Sequence, residues 1–281
     1  MELKTQVYQK ENTLSFRRLL KDSIVDIYRS RFLARQLAIR DIKAQYRQSY
    51  FGLLWAFANP LATALVWIFL NNSGAIRVTD TGVPYPLFAF TGTLIWSIIS
   101  ESINSPIQST TSARSIISKI NFPKEALIVS GIYKLLMNTG IKTLLLVFFL
   151  FFFNIGFHWT QLLFPVAILG AVLFGSTIGL LITPLGMLYK DVGKAISFGL
   201  QFLMYATPVV YAIPKDGFLK VVMEANPITP IILIARDTLV NGNFDFLYYF
   251  IIVIAICLPL FFLALIFYRI SIPVIVERIN A

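Results

Sequence analysis

The nineteen residues Gly52–Leu70, GLLWAFANPLATALVWIFL, carry no charged side chain. At 1.5 Å per helical residue, a run of this length covers the hydrocarbon core of a bilayer, about 30 Å thick. Composition agrees with that reading. The chain of 281 residues is 57% hydrophobic and only 14% charged, with a mean hydropathy of +0.74. Soluble domains average about 45–50% apolar and about 25% charged residues. The apolar surplus exceeds what a core of this size can bury, so it has to face lipid.

Working outward, five further runs are candidate spans: Tyr85–Ile103, a stretch within Ala126–Phe153, Leu162–Leu188, Gly193–Tyr211 and Phe246–Tyr268. Between the last two lies Ala212–Asp245, where Pro214, Pro227 and Pro230 interrupt apolar sequence. That segment is too broken for a plain span and too apolar for a plain loop, which predicts a pair of short re-entrant or interfacial helices. The predicted fold class is an all-α membrane protein with six transmembrane helices. Residues 1–51 form a cytoplasmic tail and residues 52–281 the six-span domain.

Charge distribution sets the expected orientation. The net charge is +10, and residues 1–51 hold 11 of the 24 Lys and Arg. No apolar stretch follows a short basic start, so the amino terminus is expected to be retained and cytoplasmic, with no signal peptide. On that topology 18 Lys and Arg fall inside and 4 outside (Arg77, Lys215, Lys220, Arg236), leaving Lys134 and Lys142 within a span. This is the positive-inside pattern, with both termini cytoplasmic. It also accounts for the basic charge without a nucleic-acid partner.

The tail carries an amphipathic pattern. Phe32, Ile39, Ile42, Tyr46 and Tyr50 share one helical face, with Arg40, Lys43 and Arg47 as a basic stripe beside it. That arrangement suits a helix lying in the membrane interface, its cations toward anionic headgroups. The alternative is an amphipathic helix docked on its own protein.

Several chemistries are excluded. Cys257 is the only cysteine, so no disulfide framework exists within the chain. His158 is the only histidine, which argues against a histidine metal site or a catalytic triad. Gly170–Gly175 followed by Ser176 and Thr177 lacks the lysine of a phosphate loop. Gly170, Gly175, Gly179 and Gly186 are better read as a helix-packing stripe. The chain is therefore expected neither to hydrolyse ATP itself nor to hold a cofactor or metal.

Two spans have unlike faces. Trp55, Asn59 and Thr63 share one side of the first, and Phe198, Gln201, Phe202 and Tyr205 share one side of the fifth. Aromatic rings mixed with amides and hydroxyls suit a channel that stacks flat apolar surfaces and bonds hydroxyls, as a sugar chain presents. Ordinary helix packing, with Trp and Tyr at the membrane interface, is the alternative. Intramembrane charge is costly, so Lys134, Lys142 and Glu101 need partners. Glu101 is the expected partner of Lys134, which could otherwise snorkel to the interface. Lys142 lies deeper and could meet an anionic substrate group. Two inside segments look like docking elements, with a solvated loop that only sets topology as the alternative for each: one holds Lys119, Phe122, Pro123, Lys124 and Glu125, the other Lys190 and Asp191.

The ordered set of motifs resembles the transmembrane subunit of type-2 ABC exporters of the polysaccharide-export group, whose members move O-antigen, capsular or teichoic-acid polymers. The likeness runs from Arg40-Asp41-Ile42-Lys43-Ala44-Gln45-Tyr46-Arg47 into Gly52-Leu53-Leu54-Trp55 and Asn59-Pro60. It continues through Gly92 with Trp96, Asn121-Phe122-Pro123-Lys124-Glu125, Tyr189-Lys190-Asp191-Val192, Thr207-Pro208-Val209-Val210-Tyr211 and Asn226-Pro227. The resemblance implies a homodimer in a bacterial cytoplasmic (inner) membrane, with two separate ABC ATPase subunits that bind ATP and Mg. The implied substrate is a lipid-linked polysaccharide on undecaprenyl diphosphate. The tail helix would be the interface helix, the segment around Phe122 would couple to the ATPase, and the prolines after Tyr211 would begin outer gate helices. Exporters of teichoic acid, of a drug or of a small lipid share this broad pattern. A membrane-embedded transferase would need histidine or paired carboxylates, and a channel would need no ATPase.

Overall fold

The computed structural model describes residues 15–47, 54–74, 83–117, 119–120, 122–240 and 244–280, with backbone alone at 45–47, 56–57, 190 and 279–280. Eleven α-helices and no strand occur among the described residues. They are α1 (Phe16–Arg29), α2 (Arg31–Arg47), α3 (Trp55–Asn72), α4 (Tyr85–Ser112), α5 (Arg114–Ile117), α6 (Glu125–Phe152), α7 (Phe164–Leu188), α8 (Lys190–Leu203), α9 (Phe218–Ala225), α10 (Ile228–Leu239) and α11 (Leu247–Asn280).

Among the described residues, four helices are long and apolar enough to cross a membrane: α4, α6, α7 with its preceding 3₁₀ turn, and α11 through Arg278. The α9–α10 pair, bent by 81°, would make a fifth if counted as one span. The expected six spans are thus not all evident as single long helices. α3 ends in Asn71 and Asn72, which dilute its apolar character. α8 has only 14 residues, about 21 Å at 1.5 Å per residue. Its early stop has a local cause. Pro208 disfavours helical backbone at the residue before it, and Thr207 is extended (φ −132°, ψ 149°).

α4 is the central helix: 78% of its apolar window is buried, against 28% for α6 and 33% for α11. Gly175, Gly179 and Gly186 of α7 pack against it, while Gly170 faces Phe250 and Ile254 of α11. A Cβ on Gly179 would lie 2.3 Å from the Ile103 carbonyl oxygen, and one on Gly175 2.4 Å from Ser102 Cβ. Only glycine permits that approach, as the packing reading of this stripe expects. One apolar cluster joins α4, α7, α10 and residues 209–210. A second joins Ala113, Ile117, Leu127, Leu180 and Met187 to Tyr268, Ile272 and Ile275 of α11, at the end of the bundle that carries α1.

The tail forms two helices that break at Ser30. There the Ser30 hydroxyl donates to the Asp26 carbonyl at 2.6 Å. α2 packs on α6 through a face that the apolar pattern does not reveal: Ala34 and Ala38 are buried and Asp41 is half-buried. Phe32 stays exposed, while Ile39 and Ile42 are half-buried. Tyr50 and Gly52 lie outside the described residues, as does Arg77.

Candidate translocation surface

α4 carries a polar stripe through the apolar layer. Thr93, Ser97, Ser100, Glu101, Asn104, Ser105, Gln108 and Thr111 recur at helical spacing. Several donate within the helix itself: Ser97 to Leu94 O at 2.7 Å, Asn104 to Ser100 O at 2.9 Å and Thr111 to Ile107 O at 2.8 Å. The sequence reading missed this stripe because it judged the second span by length and by Glu101 alone. Counting polar residues at steps of three and four would have found it.

Three cavities border the stripe. One, of about 380 Å³, is lined by Trp55, Asn59 and Thr63 of α3, Thr93, Ser97, Ser100 and Glu101 of α4, Lys142 of α6 and Ser197 and Gln201 of α8. A second, of about 660 Å³, shares Ser197 and runs past Asn104, Gln108 and Thr111 to Arg114 and Lys194. The third, of about 240 Å³, shares Ser100, Glu101, Asn104 and Gln108 and reaches Lys134 and Asn138. Shared walls make the three one polar track along α4.

The expected channel residues divide. Trp55, Asn59, Thr63 and Gln201, from two separate helices, meet at the first cavity. Phe198, Phe202 and Tyr205 do not line it. Phe198 and Phe202 form an exposed T-shaped pair on α8, 4.8 Å between centroids. Tyr205 sits exposed in the following 3₁₀ turn, 6.2 Å from the Trp67 ring.

The intramembrane charges pair differently from the expectation. Glu101 binds the fully buried Lys142, not Lys134. Lys134 instead reaches Asp41 of α2 at 2.8 Å. The register explains the exchange. α4 and α6 run antiparallel, with Phe90 beside Phe149 and Gly131 beside Ser109. That alignment sets Glu101 level with the turn from Thr139 to Lys142, more than a turn from Lys134. Burial alone would raise the Asp41 pKa, but hydrogen bonds and charge from Lys134 and Arg40 outweigh it and hold the carboxyl below its ordinary value.

The expected docking segment is also rearranged. Phe122 is half-buried against the second cluster, with the Lys124 ammonium 4.7 Å above its ring. Burial lowers the Lys124 pKa, against the opposing charge of Glu125. Glu125 is 3% exposed. It binds Arg269, which also bridges to Asp26 at 2.8 Å, and it accepts from Ser23 at 3.4 Å. A carboxylate in the first turn of α6 also complements the helix dipole. Glu125 therefore ties α1 and α11 together instead of rimming an outer surface. Lys119, Ile120 and Pro123 are exposed, and so is Asp191. Arg40 and Lys43 are exposed on α2. The side chains of Tyr46, Arg47 and Lys190 lie outside the described residues.

At the opposite end of the bundle lies Arg236, counted among the outside charges, which is buried. It is 2% exposed. Its guanidinium donates to Pro208 O at 3.0 Å and Val209 O at 2.6 Å and lies 3.6 Å from the Phe88 ring centroid. Gly92 makes room for this clamp: a Cβ there would lie 1.9 Å from Val209 O and 2.2 Å from Arg236 Nη2. Asn226 adds a bond to Ala206 O at 3.1 Å, and Tyr85 one to Val210 O at 3.0 Å. The Thr207–Tyr211 motif is thus held by its carbonyls.

Comparison with known proteins places this architecture. The family described as "ABC-2 type transporter" matches residues 33–240. The chain is similar to an "O-antigen export system permease protein RfbA" of Klebsiella pneumoniae, 28% identical over 219 residues, 74% of this chain and 80% of that protein. It is similar also to a protein of the same name in Myxococcus xanthus, 27% identical over 206 residues, 72% of this chain and 78% of the relative. A family match across most of the chain, on a bundle of apolar helices around one polar track, makes this protein a multi-pass membrane permease of the ABC-2 type transporter family.

Proposed function

We propose that this permease exports a lipid-linked polysaccharide, O-antigen-like and carried on undecaprenyl diphosphate, across the bacterial cytoplasmic membrane. Two copies of the chain form the pathway. Two separate ABC ATPase subunits beneath them bind ATP and Mg and drive transport. Residues 1–51 are the cytoplasmic tail with its interface helix, and residues 52–281 the six-span domain. α3, and α8 with the 3₁₀ turn and extended residues that follow it, complete the six crossings. Both termini are cytoplasmic, and α9 and α10 form a re-entrant outer gate.

The observation that carries this reading is the polar track on α4. Hydroxyls and amides along a central membrane helix, beside the exposed aromatic faces of α3 and α8, match a guest made of flat rings and hydroxyls. A polymer must slide, so each contact should be weak and repeated, about 0.5–1.5 kcal/mol net per hydrogen bond. A drug or small-lipid exporter would call for a more uniformly apolar lining. The names of the relatives support the same substrate class.

Deletion of the gene tests the reading. Undecaprenyl-diphosphate-linked polymer should accumulate in the cytoplasmic leaflet and return to normal on complementation. A deletion strain with normal surface polymer and no accumulation would contradict it.

A further inference from the structure

Four cations border the three cavities along α4: Lys142, Lys134, Arg114 and Lys194. Their charges are handled in two ways. Lys142 is closed by Glu101 and Lys134 by Asp41. Arg114 and Lys194 have no carboxylate within ion-pair distance among the described residues. Both line the same cavity, of about 660 Å³. They stand at the end of the track next to α5, the end where the tail helices also pack. The other walls offer Asn104, Gln108, Thr111 and Ser197. Gly193 leaves open space, since a Cβ there would meet nothing within 4 Å.

We infer that this cavity binds the diphosphate group of the lipid carrier, with Arg114 and Lys194 as its counter-charges. This rests on the proposed export of a carrier-linked polymer and names the headgroup subsite of that pathway. The cavity is within the usual range for ligand sites, about 300–1,000 Å³. Guanidinium gives a fork for phosphate oxygens and ammonium a point charge. Amides and hydroxyls of the same wall can take the remaining oxygens. The chemistry changes along α4, from net positive at this end to charge-closed in the other two cavities. An anionic headgroup is held at the first part while uncharged sugars enter the second.

The test uses the permease with its co-purifying ATPase in phosphatidylcholine nanodiscs, titrated with radiolabelled undecaprenyl diphosphate. R114Q and K194Q should each weaken binding about tenfold, the scale of a lost charge-assisted hydrogen bond, and the double variant more than either. Undecaprenol retention should be unchanged, and R114K and K194R should recover most of the affinity. Inorganic pyrophosphate should displace the probe, while phosphatidylglycerol added to the disc should not. Unchanged binding in the double variant, or equal loss of undecaprenol, would overturn the proposal. Displacement by phosphatidylglycerol would overturn the assignment to the carrier and make this a bilayer-headgroup site. The deletion phenotype separates the two readings. Accumulated polymer with unaltered binding in R114Q/K194Q rejects the subsite alone. Pyrophosphate binding that depends on Arg114 and Lys194, without accumulation, rejects the export reading alone.

Discussion

Lys142 of α6 is fully buried, and its ammonium donates to the carboxylate of Glu101 on α4. The pair joins two long helices near the middle of each and leaves the first cavity without net charge. The second oxygen of Glu101 has no hydrogen-bond partner in the structure. That oxygen is itself buried, and Glu101 lines the cavity together with Ser97 and Ser100.

Breaking this pair from one side should be costly. Lys142→Met leaves a carboxylate without its counter-ion, an effect of about 3–5 kcal/mol for fully buried pairs and smaller here, because the Glu101 side chain is 36% exposed. The double variant E101Q/K142M should recover much of the loss. Thermal unfolding of the purified permease in detergent reads both. Additive losses in the double variant would mean that the two residues do not act as a pair.

The Asp41–Lys134 bridge should hold α2 to α6 with a definite pH dependence. The folded carboxyl titrates below its ordinary 3.8. Its contribution is therefore complete above that ordinary value and fades as pH falls through the lowered one. Spin-label distances between α2 and α6 should match at pH 7 and pH 5 and broaden only below the ordinary value of 3.8. Asp41→Asn should broaden them at every pH, at a cost of about 1 kcal/mol or less for a partly exposed pair. Opening of wild type at pH 5 would contradict this.

Gly92→Ala should destabilise the protein more than a surface change would. The added methyl would meet the Val209 carbonyl oxygen and the Arg236 guanidinium at once. Neither can retreat, because the guanidinium is buried and already bound to two carbonyls. A loss of about 1–3 kcal/mol or more is expected from overpacking, read as a lower Tm. An unchanged Tm would mean that the 207–211 segment is loosely held.

Two substitutions in one short segment should separate. Ile120 is 59% exposed, whereas Phe122 rests on the second cluster. Ile120→Asp should reduce co-purification of the ATPase while leaving permease stability within about 0.5 kcal/mol, as for surface changes generally. Phe122→Ala should lower stability. The reverse pattern would return Phe122 to the role of docking residue.

Much of this architecture is legible in local sequence. The long apolar helices α6, α7 and α11 lie where hydropathy predicts them, and the glycine stripe of α7 packs as its spacing predicts. Helix ends depended on finer chemistry. α8 stops before the Thr207-Pro208 step, and α11 continues past Tyr268 because Ile272 and Ile275 find partners in the second cluster. Ion pairing was not legible, because it depends on the antiparallel register of α4 and α6. Arg236 was not legible either: an arginine beside an aspartate looks solvated until the chain brings two carbonyls and a phenyl ring around it. Of the seven expected channel residues, the four that meet at one cavity come from α3 and α8, which are far apart in sequence. Their common side of each helix was visible, but their proximity was not.

The central claim is that the polymer travels along the polar track of α4. A photo-crosslinking amino acid can be placed at Ser97 on the track and at Leu144, which is 72% exposed on the apolar surface of α6. The measurement is taken in cells whose partner ATPase binds but cannot hydrolyse ATP, so that polymer stalls in transit. The expected result is glycan adducts at position 97 and only lipid adducts at position 144. Lipid adducts at both positions, with no glycan at 97, would contradict the claim.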